Sequence, residues 1–237
     1  MSKSSSRRAY LLTAIAVLFA AAIGLPSAKA VNIVANGSFE TPTVPVGSFT
    51  LFASGSNAIT DWTVVGPSGT SVGIASGTLT QFGFTFPAQD GAQWLDLTGL
   101  NSNTTDGVQQ TVATTPGALY DLSFFVGNIS NPGGLFGTTS TVGVQINGGS
   151  VVSFTNSGGV GSTSQVWQKF TLPFTATAAT TSVTFINQDP SGDNTNGLDN
   201  VSLTLGGTGV PESGQTVMFF GIGLAGLCWF RQTLKAN

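Results

Sequence analysis

Apolar residues recur at every second position in several short runs, and this period confines the middle of the chain to β-strands. Tyr120, Leu122, Phe124 and Val126 share one face, with Asp121 and Ser123 on the other. Val142, Val144 and Ile146 alternate with Gly143, Gln145 and Asn147, and Phe170, Leu172 and Phe174 alternate with Thr171 and Pro173. Val201, Leu203 and Leu205 alternate with Ser202 and Thr204. Turn-forming residues stand between the runs: Thr115-Pro116-Gly117, Asn131-Pro132-Gly133-Gly134, Asn147-Gly148-Gly149 and Asn156-Ser157-Gly158-Gly159. No long stretch of 31–205 carries a 3.6-residue apolar period. Short strands with one apolar face and glycine-rich turns predict two antiparallel sheets packed face to face. Gly206-Gly207-Thr208-Gly209 reads as a flexible spacer, so the folded unit spans 31–205. A domain of this size buries roughly 70% of its unfolded surface and needs no disulfide.

Composition removes most catalytic chemistry. The 237-residue chain has no histidine and one cysteine, Cys228. Serine–histidine triads, cysteine–histidine dyads and histidine zinc sites are therefore excluded, as is an internal disulfide. A phosphate-loop signature is also missing. Charged residues make up 7% of the chain, against about 25% in average globular proteins. Over 31–210, Lys169 faces Glu40, Asp61, Asp90, Asp96, Asp106, Asp121, Asp189, Asp193 and Asp199, a net charge of −8. Nucleic acid and anionic membrane surfaces are poor partners for such a domain. Nine carboxylates with one cation must be solvated or share a bound cation, and calcium is the expected ion outside a cell.

Both ends read as addresses. Residues 1–30 have a basic start (Lys3, Arg7, Arg8), an apolar stretch from Tyr10 to Leu25 and a small-x-small site, Ala28-Lys29-Ala30, as in a secretory signal helix cleaved before Val31. After the 206–215 linker, Thr216 to Phe230 are uncharged and Arg231 and Lys235 follow. As a helix this run reaches about 22 Å, short of the ~30 Å hydrocarbon core. Within 216–237 it is expected to anchor the precursor marginally, with the basic tail in the cytoplasm. Val210-Pro211-Glu212, the glycine-studded apolar run and the basic residue after it resemble the PEP-CTERM sorting signal of bacterial surface proteins. That resemblance implies transient retention in the inner membrane and cleavage by a sorting protease of the exosortase type. Ser213 and Gln232 depart from the usual pattern, and a plain C-terminal membrane helix is the other reading.

The folded unit carries a second resemblance. Asn36-Gly37-Ser38-Phe39-Glu40, Asp61-Trp62-Thr63-Val64, Asp90 to Gly99 (DGAQWLDLTG), Gly117 to Phe125, Trp167 and Gly197 to Leu203 (GLDNVSL) stand in one order. They resemble the galactose-binding-like jelly roll of choice-of-anchor C proteins and related plant cell-wall proteins. The resemblance implies an extracellular, non-catalytic β-sandwich, sometimes polysaccharide-associated. Similar jelly rolls set their first and last strands side by side with a calcium ion between them. That nominates Glu40 and Asp199 as oxygen donors, with Asp90 as a third. The other reading has Asp199 and Asn200 bonding the neighbouring backbone while Glu40 is solvated.

Trp62, Trp94 and Trp167 sit in strand-like runs and are expected in the core, although an indole can also stack on a sugar, Trp94 among them. In Gly133-Gly134-Leu135-Phe136-Gly137 the flanking glycines let Phe136 reach outward or fold back, which makes Phe136 a candidate ligand contact. Asp189 to Gly197 fails the calcium-loop template, with Leu203 where a bidentate glutamate belongs, and reads as a polar loop.

The chain is therefore expected to be a jelly-roll sandwich flanked by two terminal helices. It would be exported, then retained at the cell surface or released, and would bind polysaccharide without catalysis. A structural or adhesive module with a protein partner is the alternative. A glycoside-cleaving enzyme is a further one, since any two of nine acids can be paired.

Overall fold

A computed structural model describes residues 31–99, 105–189 and 193–206. The signal segment with Ala28 and Ala30, the Val210-Pro211-Glu212 motif and the apolar run 216–230 lie outside these residues. Among the described residues no helix is long and apolar enough to cross a membrane.

The strands in chain order are β1 (Phe49–Ala53), β2 (Thr63–Val65), β3 (Ser71–Ser76), β4 (Thr80–Gln81), β5 (Phe84–Thr85), β6 (Gln93–Asp96) and β7 (Gly107–Ala113). There follow β8 (Leu119–Asn128), β9 (Ser140–Ile146), β10 (Val152–Asn156), β11 (Val166–Thr175), β12 (Thr180–Asn187) and β13 (Gly197–Leu205). One sheet has the order β1-β3-β6-β13-β8-β11, the other β10-β9-β12-β7-β2, and β4 and β5 form a separate hairpin. The pairs within both main sheets are antiparallel. This is the all-β antiparallel sandwich that the period-two pattern predicts.

The alternation decides which residues meet. Tyr120, Leu122, Phe124 and Val126 of β8 point into the space between the sheets, as do Val108 and Val112 of β7 and Val183 and Phe185 of β12. Phe185 bridges the sheets, with its ring 5.1 Å from Phe124 and 6.2 Å from Trp62. Burying aromatic side chains of this size supplies much of the apolar stabilisation of such a core. At the β9–β10 hairpin Asn147 (φ 51°) and Gly148 (φ 66°) occupy the turn, and the Gly149 N–H donates to the Ile146 carbonyl at 3.0 Å. Positive φ at both central residues matches the twist of the strands they join.

A second apolar cluster lies on the outer face of the six-stranded sheet. It contains Ala75, Leu79, Phe86, Trp94, Ile129 and Phe136, with Phe84, Ala88 and Trp167 against it. Trp167 can lie flat over β8 and β13 because the positions beneath it are Gly127 and Gly197, where a Cβ would come within 2.8 and 3.0 Å of the indole. The two ends of the folded unit meet: the Ile33 N–H donates to the Leu203 carbonyl at 2.9 Å and the Val201 N–H to the Gly37 carbonyl at 2.9 Å. First and last segments are thus neighbours, as the jelly-roll resemblance implies.

Candidate functional site

The Asn-Gly-Ser-Phe-Glu segment is a clasp. Asn36 takes a left-handed φ of 47°, a conformation asparagine tolerates better than most residues. Its amide nitrogen donates to the Thr41 and Thr60 carbonyls, and its backbone carbonyl accepts from Trp62 Nε1 at 3.0 Å. Gly37 is required by close approach, since a Cβ there would lie 2.1 Å from the Val201 carbonyl oxygen. Phe39 is fully buried, 5.3 Å from Trp62. Glu40 then reaches the loop before β6, where Oε1 accepts from the Ala92 and Gln93 N–H groups at 2.8 and 3.0 Å.

Asp199 holds the other side of that loop. Its Oδ2 accepts from the Gln89 and Asp90 N–H groups at 2.8 and 3.0 Å, and its Oδ1 from the Asn200 N–H at 2.7 Å. The irregularity in β13 between Asp199 and Ser202, with Asn200 at φ 47°, aims the carboxylate there. Asp90 Oδ2 accepts from Ser38 Oγ at 2.7 Å. Glu40, Asp90 and Asp199 do therefore gather around 89–93. As placed they do not fit a shared cation: both Asp199 oxygens and Glu40 Oε1 are turned to backbone N–H donors. Among the described residues no group of three or more acidic or thiol side chains is disposed to hold a metal. Burial pushes the Asp199 carboxyl up to about 7, against the pull of the Asp90, Asn200 and Gln89 N–H groups.

The loop so clasped leads into β6, which forms part of the floor of a groove on the outer face of the six-stranded sheet. Phe49 and Leu51 of β1, Gly73 and Ala75 of β3, and Trp94 and Asp96 of β6 face the groove. Phe82 and Phe86 of the hairpin region, together with Leu135, Phe136, Asn194 and Thr195, complete the lining. The volume is about 240 Å³. Gly73 keeps the floor low between the two neighbouring strands. Phe82 stands at the hairpin turn with φ 50° and is 74% exposed; Leu135 and Phe49 are exposed as well. Asp96 presents the one carboxylate of the lining, and its Oδ1 accepts from the Thr98 N–H, Thr98 Oγ1 and the Asn196 N–H. Desolvation pushes its pKa up to about 6.

Trp94 and Phe136 both border the groove, but neither is an open stacking surface. Trp94 is 1% exposed, its Nε1 donating to the Phe86 carbonyl. Phe136 folds back, 4% exposed, edge-on to Phe84 and Phe86 at 5.5 and 5.3 Å. The most accessible ring is Phe82, 6.3 Å from Phe136, and Phe49 is also exposed. Sequence reasoning missed Phe82, although Gln81-Phe82-Gly83-Phe84 carries the aromatic–glycine signal used for Phe136.

In the segment read as a polar loop, several of the described residues are buried. Asp189, Asp193 and Asn196 are 6%, 1% and 0% exposed. Desolvation pushes Asp189 up to about 9, with Asp193 and Asp96 adding to the rise, and pushes Asp193 up to about 7.

A family described as "Protein of unknown function (DUF642)" matches residues 32–204. No curated protein matches the chain. Among solved structures, the TmCBM61 structure in complex with β-1,4-galactotriose is 15% identical, with a TM-score of 0.44 over 74% of this chain and 99% of that one. Family 16 Carbohydrate Binding Module-2 is 19% identical, with a TM-score of 0.40 over 73% of this chain and 99% of that one. The CBM35 from Paenibacillus barcinonensis is 17% identical, with a TM-score of 0.38 over 65% of this chain and 98% of that one.

Proposed function

We propose a function for this chain, which belongs to the DUF642 family: its sandwich is a non-catalytic saccharide-binding module that reads a neutral glycan in the outer-face groove. The observation that carries this is the pairing of an exposed ring, Phe82, with a glycine-lowered floor and the polar groups of Gln81, Asp96 and Asn194 in one depression. Sugar rings bind by laying C–H faces on an aromatic while hydroxyls meet polar side chains. At about 240 Å³ the groove is smaller than the roughly 300–1,000 Å³ of typical small-molecule pockets, which suits a chain end rather than a threaded polymer. The net charge of −8 over 31–210 and the Asp96 carboxylate favour neutral over acidic glycans.

Lack of catalysis is supported by the lining itself. Glycoside hydrolysis takes two facing carboxyl groups, and Asp96 is the one carboxylate among the groove residues. Lys169, the one basic side chain among the described residues, is exposed on β11 with its Nζ 5.9 Å from the Phe125 ring.

The terminal segments extend the proposal to location. The 1–30 signal would export the chain, and the Val210-Pro211-Glu212 tail with its apolar run would hold it in the inner membrane until a sorting protease releases it to the surface. The test of function is a glycan array probed with the full chain. Saturable binding to neutral glycans with no new reducing ends is expected. Binding confined to protein partners, or turnover of a glycan, would overturn the reading.

A further inference from the structure

At the end of the sandwich where β12 finishes and β13 begins, buried side-chain oxygens collect without partners. Asp189 Oδ2, both Asp193 oxygens and Asn196 Oδ1 have no hydrogen-bond partner. The carboxylates of Asp189 and Asp193 sit close enough to Asp96 and to each other to feel one another's charge. Their placement is built, not incidental. Thr141 receives both neighbours on one strand edge: its N–H donates to Asp189 Oδ1, and its carbonyl accepts from Asn196 Nδ2 at 2.6 Å. Asn187 Oδ1 joins the same pair, accepting from the Asp189 N–H at 3.1 Å and Asn196 Nδ2 at 2.7 Å.

The Asp193 carboxylate packs directly against Gly137 (φ 60°), where a Cβ would lie 2.1 Å from Asp193 Oδ2 and displace it. The N–H groups of Thr195, Thr138 and Thr139 lie near the Asp193 carboxylate, yet none closes to hydrogen-bond geometry. The Asn187 Nδ2 donor is likewise unpartnered, so it serves none of these oxygens.

Charge makes the arrangement costly as it stands. A buried carboxylate must be paired, bound to a metal or protonated. Lys169, the one basic side chain among the described residues, is occupied elsewhere on β11. What the cluster offers is oxygen alone, two carboxylates and an amide carbonyl, with no histidine in the chain to draw a softer metal.

We propose that Asp189, Asp193 and the side-chain carbonyl of Asn196 bind a calcium ion between β12 and β13, with backbone carbonyls and water completing its six to eight ligands. This site is separate from the Glu40, Asp90 and Asp199 cluster, where Glu40 Oε1, Asp90 Oδ2 and both Asp199 oxygens meet N–H and O–H donors. It is also independent of the saccharide reading, because the ion itself is the probe.

The experiment is equilibrium dialysis of calcium against the full-length chain in detergent, with thermal melting in calcium and in chelator. Extracellular modules bind calcium at about 0.1–1 mM. The wild-type chain is expected to take up calcium in that range and to melt several degrees higher with it. Asp189→Asn and Asp193→Asn are each expected to lose both effects, and Glu40→Gln to keep both. The Asn replacements are close in shape and remove a buried charge, so in chelator they are expected to melt no lower than wild type, which separates lost binding from lost folding. No uptake by the wild-type chain at about 1 mM would overturn the proposal. So would uptake retained in Asp193→Asn, or lost in Glu40→Gln alone.

Discussion

Phe82 has a ring 74% exposed at a hairpin turn, a position that core packing does not require. If the groove binds sugar, Phe82→Ala removes the stacking face. Affinity measured by calorimetry should then fall about five- to tenfold, with the melting temperature within about 2 °C of wild type, as for most surface substitutions. Asp199 shows the opposite case, a polar residue fixed by its neighbours. Its folded pKa, pushed up by burial to about 7, lies above the ordinary carboxyl value of 3.8. Its contribution to stability is thus fully present below about pH 4 and is lost as pH rises through about 7. Melting in chelator should therefore show a shallower decline from pH 5 to pH 8 in Asp199→Asn than in wild type; parallel slopes would contradict this. The core positions of Trp62 and Trp94 were legible because both sit in strand-like runs. The exposure of Phe82 and the burial of Asp193 were not, because each depends on a segment remote in sequence: Phe136 for the one, Gly137 for the other.

At the level of elements, β8, β9, β11 and β13 could be read directly, since each has one less and one more accessible face. Strand β3 could not, for all six of its residues are buried beneath the outer cluster and its neighbours, which erases the alternation. The β4–β5 hairpin has strands of two residues, too short for a period to register. Yet that hairpin, with the loop at 131–137, turns an outer sheet face into a groove. The clasp between the first segment and β13 also belongs to this scale. Gly37→Ala would drive a Cβ to 2.1 Å from the Val201 carbonyl, and the backbone must part to admit it. A loss of about 2–3 kcal/mol and a drop of about 5–10 °C in melting temperature are expected. An unchanged transition in scanning calorimetry would show that the two segments are not locked together.

For the whole molecule, the scarcity of charge shapes both stability and recognition. A surface hydrated by hydroxyls and amides has few ion pairs to screen. Between about 0.02 and 0.3 M sodium chloride, with chelator present, the melting temperature should move by no more than about 2 °C. A larger shift would reveal charge interactions that the fold does not display. The same economy of charge leaves recognition to shape, to aromatic faces and to single polar groups, and these converge on one face of one sheet. The most direct test is chemical-shift mapping by NMR on the labelled chain, titrated with a neutral glycan selected on the array. Perturbed resonances are expected at Gln81, Phe82, Asp96, Phe136 and Asn194, around the outer-face groove. Perturbations confined to the five-stranded sheet, with these residues unmoved, would contradict that expectation.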